Sequence, residues 1–579
     1  MATLRFAPVP QRIGHARKPE ASGLNGRSLT PWQGVLALVV LAVFAPLAIA
    51  RPPANPLQYS EEREPCSARN PLGNLYFGDT HLHTALSLDA YGGGTRILPA
   101  EAYRFAKGET IQKNGQDMKI STPLDFLAVT DHAEFFNAAA TVNRLSDAPE
   151  DTWQTVIDAA ENAYDRTSAC RFTSFVAYEY TGQAGGVNQH RNVIFRNAHV
   201  PGLPVTSQQE PDPAGLWRAL DQQCLKAGTG CDVLAIPHNS NMSFGAKFTL
   251  WDGDPGTLAA ARSTAVLRQR MEPLVEIYQE KGASECQGAF SSDEECNFEQ
   301  FLPFLPVCAK DQAGSGDRCL APLDYVREVL AAGLSEESRL GVNPFELGFV
   351  SGTDFHDGLS NTSEEAYEGR APLSGVPAMS QLLTDVVRNS PGGLTGLWAA
   401  ENSRDALFDA MLRRETYGTS GTRIAVRFFA GSYEGHDLCA RPDLLEYAYG
   451  HGVPMGGKLQ ATGPAAPVFV VTAAMDQVPL EQLQIIKAWA DAAGERHETV
   501  ATIAVAAAGK ETLCAQWQDP GFDPAVPAAY YARVLEQPSL RWNALRCHRE
   551  ARNARAAQQC PQTSIRERAW TSPIWVERG

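Results

Sequence analysis

The chain has 579 residues, 44% of them hydrophobic and 20% charged, with a formal net charge of −16. That composition belongs to a folded protein rather than a disordered one, and the length exceeds what one ordinary hydrophobic core serves. The acidic balance excludes broad binding to nucleic acid or to an anionic membrane surface, both of which need basic patches, so no nucleic-acid partner is expected.

Residues 1–33 carry Arg5, Arg12, Arg17, Lys18 and Arg27 against one acidic group, Glu20, and an uncharged run follows from Gly34 to Ala50. A basic flank, an apolar core and small residues at Ala48 and Ala50 form the pattern of an export signal over residues 1–50. The run is also close to the minimum for a spanning helix. Cleavage after Ala50 and retention as an inner-membrane anchor over residues 34–50 therefore both stand. In either case the positive end stays in the cytoplasm and the body is exported, to the periplasm or beyond. All twelve cysteines follow this run, and an even number in an exported chain reads as a set of disulfides. Cys224/Cys231 and Cys547/Cys560 are close enough for local bridges. No CxxC pair occurs, which argues against zinc-binding cysteines.

After a linker over 51–72, short apolar strands alternate with helical stretches. Strands are expected at Asn74 to Phe77, Leu124 to Val129, Phe172 to Ala177, Val193 to Phe195, Asp232 to Ile236, Leu274 to Tyr278, Phe345 to Val350 and Leu394 to Ala399. Helices are expected at Pro99 to Ala106, Thr152 to Ala163, Pro213 to Leu225 and Ser403 to Arg414. Such alternation indicates an α/β unit on parallel strands, here 73–430, interrupted by a Cys-rich insertion near 282–325. About seven strands reaching one rim favour a (β/α) barrel over an open sheet. Beyond Arg423, strands follow one another with few helical periods, at Ile424 to Phe429, Val468 to Thr472, Leu483 to Ala488, Thr499 to Val505 and Tyr530 to Leu535. Residues 431–579 are accordingly expected to form a smaller β-rich domain, with Tyr530, Tyr531 and Trp542 in its core rather than stacking on sugars.

The chemistry sits where strands end. Gly78-Asp79-Thr80-His81-Leu82-His83-Thr84 follows the first strand, Thr130-Asp131-His132 the second, Tyr178-Glu179-Tyr180 the third, and Gly352-Thr353-Asp354-Phe355-His356 closes Phe345 to Val350. Two histidines at i and i+2 on an extended segment point the same way, so His81 and His83 can grip one centre. Asp89, His238, Asp354 and His356 bring further donors to the same rim, and a hairpin into the strand Arg191 to Phe195 could return His190 beside Glu179. A lone histidine after a strand is often a core group bonded to backbone, but eight His, Asp or Glu positions at strand ends make coincidence a poor explanation. Asp79 and Asp131 precede ligand segments and read as groups that orient imidazoles.

This constellation resembles the polymerase and histidinol phosphatase (PHP) superfamily. The resemblance implies metal ligands at His81, His83, Asp89, His132, Glu179, His190, His238, Asp354 and His356, with a Glu179-to-His190 interval shorter than the family pattern. It also implies a distorted (β/α)7 barrel holding two or three zinc, manganese or iron ions. From Cys66 to Trp575 the chain further resembles an exported domain-of-unknown-function branch of PHP-like proteins, including Arg413 to Arg423 and Gln484 to Trp489. Carbaryl-hydrolase-type enzymes are a related branch.

Clustered divalent ions bring a bound water toward neutral pKa and supply hydroxide as the nucleophile. The expected activity is hydrolysis of a phosphoric ester, small or polymeric. Lys281, in a catalytic role, and Arg191, in substrate binding, are candidates to hold an anionic oxygen, each with the alternative of an ordinary rim cation. A second reading keeps the metals and changes the bond to a carboxylic ester, carbamate or amide. A third is a non-catalytic binding protein stabilised by metal. No Gly-x-Ser-x-Gly elbow occurs, so a serine hydrolase is not a rival.

Overall fold

The computed structural model describes residues 58–136, 151–183, 186–309, 314, 317–367, 389–433, 437–461 and 463–578. The expected signal or anchor over 34–50 lies outside these residues. Among those described, no helix is long and apolar enough to cross a membrane.

Strand β1 (Asn74–Leu82) is partly buried at its start and fully buried through its histidine motif. At its midpoint stands Gly78, where a Cβ would lie 2.4 Å from the Phe126 carbonyl oxygen and 2.5 Å from the Phe126 ring. Only glycine lets β1 lie this close to β2 (Phe126–Val129), with which it pairs in parallel. β3 (Thr173–Phe175) adds to β2, also in parallel. The next strands, β4 (Ala177–Tyr180), β5 (Arg191–Phe195) and β6 (Val233–Pro237), form a separate antiparallel sheet. β7 (Leu274–Gln279) and β8 (Gly348–Ser351) pair in parallel in a third. β9 (Leu394–Ala399) then runs antiparallel along the free edge of β1, and β10 (Thr416–Thr419) antiparallel along β9.

The fold is mixed α/β, but the described strands close no barrel. A strand has two edges, and those of β1 are taken by β2 and β9. β8 therefore cannot pair along β1, and the segment after it meets β1 only at the isolated bridge between Leu82 and Phe355. A second bridge, His132 to Glu179, joins the ends of the first and second sheets. The carboxyl ends of strands from three sheets thus converge on one place.

Several helices begin where the sequence signals them. Asp151 caps Thr152–Ala163 by accepting from Gln154 N at 3.0 Å, and Asp212 caps Pro213–Leu220 by accepting from Gly215 N at 2.8 Å. The helices Leu258–Met271 and Val326–Leu340 were not expected from the sequence pattern.

The strands beyond residue 431 divide between sheets: Val468–Ala474 and Thr512–Gln518 join Ala425–Gly431 in one, while others extend the sheet of β1. β11 (Arg568–Thr571) pairs with β10 and with Ala528–Glu536, so the sheet of β1 continues into the C-terminal region. Pro56–Gly579 is one compact unit. A buried ionic group ties its parts: Glu285 accepts from Arg327 Nη2 at 2.7 Å, from the Tyr531 hydroxyl at 2.6 Å and from Trp570 Nε1 at 2.6 Å, and Arg533 Nη1 lies 3.2 Å away. Tyr530, Tyr531 and Trp542 are all core residues. The twelve cysteines form Cys66–Cys170, Cys224–Cys231, Cys286–Cys296, Cys308–Cys319, Cys439–Cys514 and Cys547–Cys560. Both local bridges expected from spacing are among them, and the insertion is stapled twice. Six disulfides suit an oxidising, exported environment.

Candidate metal centre

Nine side chains named from the sequence meet at these strand ends. Glu179, 1% exposed, stands at the middle. Its Oε2 lies 3.4 Å from His81 Nε2, 3.0 Å from His83 Nε2 and 3.5 Å from His132 Nδ1. Its Oε1 lies 2.5 Å from His190 Nδ1 and 3.0 Å from His238 Nε2. Asp354 Oδ1 closes the first group at 3.3 Å from His81 Nε2 and 3.2 Å from His83 Nε2. Asp89 Oδ2 gathers the outer histidines, 2.8 Å from His356 Nε2 and 3.6 Å from His132 Nε2.

Local structure aims these groups. The Asp354 backbone is left-handed, with φ 54°, a conformation rare outside glycine that turns its carboxylate toward β1. Two residues earlier, a Cβ at Gly352 would sit 2.5 Å from His81 Cβ and 2.7 Å from Glu276 Oε2, so glycine is required for the two motifs to touch. His81 Nδ1 donates to Glu276 Oε2 at 3.0 Å, and His356 Nδ1 donates to the Asp354 carbonyl of its own motif, 2.8 Å away. His83 Nδ1 donates to Ser87 Oγ at 2.8 Å, and that hydroxyl donates onward to Asp131 Oδ1 at 2.9 Å. With Nδ1 so engaged, each ring presents Nε2 with its lone pair to the cluster.

The buried aspartates work through backbone more than through imidazoles. Asp79 accepts from the backbone N of His81 and of Thr353, both at 3.0 Å, and from the Thr353 and Ser360 hydroxyls. Among the described residues, Asp131 reaches an imidazole through the Ser87 hydroxyl. Arg191 corrects the sequence reading outright. It is fully buried, pairs with Glu272 Oε1 at 2.9 Å and donates to Gln189, so it offers nothing to a substrate. Lys281 does reach the cluster, as an ion pair with Asp354 Oδ2. Glu276 and Gln279, whose Nε2 donates to Asp354 Oδ2 at 2.6 Å, escaped the sequence reading. An acidic residue inside the apolar strand Leu274–Gln279 was the available signal for Glu276.

Charge balance follows the geometry. Burial alone would raise the Glu179 carboxyl, but the imidazoles of His132, His238 and His190 hold it well below its ordinary range. Asp354 is likewise held down against burial, chiefly by Lys281 and His81. Burial and the neighbouring His83 bring His356 down to about 4, and burial with His81 lowers His238. His81, His83 and His132 shift the other way, raised against burial by the surrounding carboxylates, His83 to about 9, so a cation bound there would displace their protons.

The donor set fits divalent ions. His81, His83 and Asp354, and separately His81, Glu179 and His238, His132, Glu179 and His190, and His83, His132 and His356, each bring ligand atoms within 4.8 Å of one another. In the first group His81 Nε2 and His83 Nε2 are 3.3 Å apart, and their distances to Glu179 Oε2 and Asp354 Oδ1 run from 3.0 to 3.4 Å. Donor atoms this close to one another suit a shared cation, since zinc binds imidazole and carboxylate at about 2.0–2.2 Å. His238 Nδ1 is buried without a hydrogen-bond partner, although its Nε2 faces Glu179. The cluster opens toward Asp89, His132, His190, His356 and Lys281, whose side chains retain between 12% and 47% exposure.

No curated protein and no solved structure matches this chain. A family profile described as "Protein of unknown function (DUF3604)" matches residues 70–149, 136–508 and 504–578, a span that includes every residue of the cluster. The chain belongs to the DUF3604 family.

Proposed function

We propose that this protein is an exported metal-dependent hydrolase with two or three zinc, manganese or iron ions, acting first on a phosphoric ester. The observation that carries the reading is the convergence of His81 and His83 on the Glu179 and Asp354 carboxylates at 3.0 to 3.4 Å, flanked by donors enough for further ions. Mixed imidazole and carboxylate donors suit these metals better than calcium or magnesium. The resemblance of the nine ligand positions to the PHP superfamily points the same way. Bound ions would polarise the attacked ester and lower the pKa of a water. The chain's own part is to hold the ligands rigid and to keep the inner face dry, through the full burial of His81, His83 and His238. At the open side, the Lys281 ammonium is available to steady an anionic oxygen once a metal shares the Asp354 carboxylate.

A second reading, hydrolysis of a carboxylic ester, carbamate or amide, is favoured by one observation. Both cations expected to receive a phosphate are engaged, Lys281 by Asp354 and Arg191 by Glu272. The six disulfides support activity in the periplasm or outside the cell. Purified protein loaded with each metal and offered chromogenic phosphodiesters, phosphomonoesters and carboxylic esters separates the readings. Chelator-sensitive phosphoester turnover supports the first, ester-only turnover the second. Inactivity of the fully loaded protein on every substrate would leave a metal-stabilised binding protein and refute both.

A further inference from the structure

After β6 the chain reverses sharply. Asn239 and Phe244 both take left-handed backbone, with φ 51° and 53°, which residues other than glycine adopt rarely. Asp324 latches the reversal by accepting from Ser243 Oγ at 2.9 Å and from Gly245 N at 2.7 Å. The turn delivers Lys247, 2% exposed, behind the imidazoles. Its Nζ donates to Asn188 Oδ1 at 2.8 Å, to the His190 carbonyl at 3.2 Å and to the His238 carbonyl.

An ammonium has three N–H donors, and all three are used. Among the described residues no carboxylate pairs with Lys247. Burial pushes the Lys247 amine well below its ordinary pKa, a cost that an apolar side chain of similar length would avoid. What the amine adds is a tie between the His190 and His238 carbonyls just beyond the end of the β5–β6 ladder, whose last pair is Arg191 with Pro237. His190 stands at the start of β5 and His238 just past the end of β6, and both rings face Glu179 Oε1, at 2.5 and 3.0 Å.

We propose that Lys247 is a positioning residue that builds a second cation site from Glu179, His190 and His238, and is not needed for the ion framed by His81, His83 and Asp354. The inference rests on the metal reading above. Outer partners of this kind set ligand geometry, and losing one costs roughly 10- to 100-fold in metal affinity.

The test is metal stoichiometry by elemental analysis, with zinc competition against a chromophoric chelator and cobalt absorption spectra, on the full chain. Wild-type protein binds at least two ions. Lys247→Met binds one fewer, or binds the second roughly 10- to 100-fold more weakly, with the first site's affinity and cobalt spectrum unchanged. Asn188→Ala, on a half-buried loop, removes one of the three acceptors of Lys247 together with the acceptor of the His190 N–H, 3.3 Å away, and shifts the same second site by a smaller factor. If Lys247→Met does not fold, Asn188→Ala decides. Wild-type binding of the second ion by both variants, or equal loss of both ions, overturns the inference. Failure of wild-type protein to bind any metal sinks the metal reading itself, a distinct result.

Discussion

Gly352→Ala puts the packing between the two ligand motifs to a quantitative test. The added methyl would lie 2.5 Å from His81 Cβ and 2.7 Å from Glu276 Oε2, and 3.3 Å from Asp79 Oδ1. Carbon atoms in contact sit at about 3.5–4.0 Å, so β1 and the Gly352 segment must separate by about 1 Å. His81 Cβ is next to the backbone, so no rotamer change relieves the contact. Overpacking of this kind costs roughly 1–3 kcal/mol. A displacement of about 1 Å in a catalytic group costs on the order of 100-fold in rate. Chemical denaturation, zinc affinity and turnover on the best substrate measure the three effects. The control is Gly450→Ala, in the helix Leu444–His451, where a Cβ meets nothing within 4 Å and the change is neutral or stabilising. Gly352→Ala protein with wild-type stability and wild-type metal affinity would refute the close-approach argument.

Three further outcomes are expected. Glu179→Gln weakens metal binding at both groups, because one carboxylate oxygen faces His81 and His83 while the other faces His190 and His238; elemental analysis after dialysis against a weak chelator should find at least two ions lost, and loss of one alone contradicts the bridging role. Cys66→Ser with Cys170→Ser opens a loop with a sequence separation of 104, for which chain entropy gives a stability loss of up to about 4–5 kcal/mol; an unchanged denaturation midpoint would dismiss that bridge. Burial, reinforced by Glu299 against the opposing Arg541, pushes the Glu364 carboxyl up to about 8. It stays protonated in the fold while the unfolded chain ionises above its ordinary value, so stability declines as pH rises toward about 8. Glu364→Gln should flatten that decline in pH-dependent melts, and an unaltered slope would exclude Glu364 as its source.

The sequence disclosed the site better than the architecture. His81, His83, His132, Glu179, Asp354 and His356 were legible because a strand end is marked locally, by an apolar run meeting a polar motif. Asp151 and Asp212 announced their helices for the same reason: a cap is a contact within three residues. Sheet pairing is not local. Nothing near Thr416–Thr419 signals that it will pair with Arg568–Thr571, or that Leu394–Ala399 will occupy the edge of β1 and prevent ring closure. The same distance explains Arg191, whose fate depends on Glu272 in another segment, and Lys247, whose partners are carbonyl oxygens that every residue carries.

The central claim is that this cluster holds metal. Anomalous diffraction from crystals of the protein purified without chelator, collected across the zinc, iron and manganese edges, tests it most directly. The account predicts two or three peaks among His81, His83, Asp89, His132, Glu179, His190, His238, Asp354 and His356, the first about 2 Å from His81 Nε2 and His83 Nε2. A well-ordered cluster without any anomalous peak, in protein also found metal-free by elemental analysis after incubation with all three ions, would contradict it.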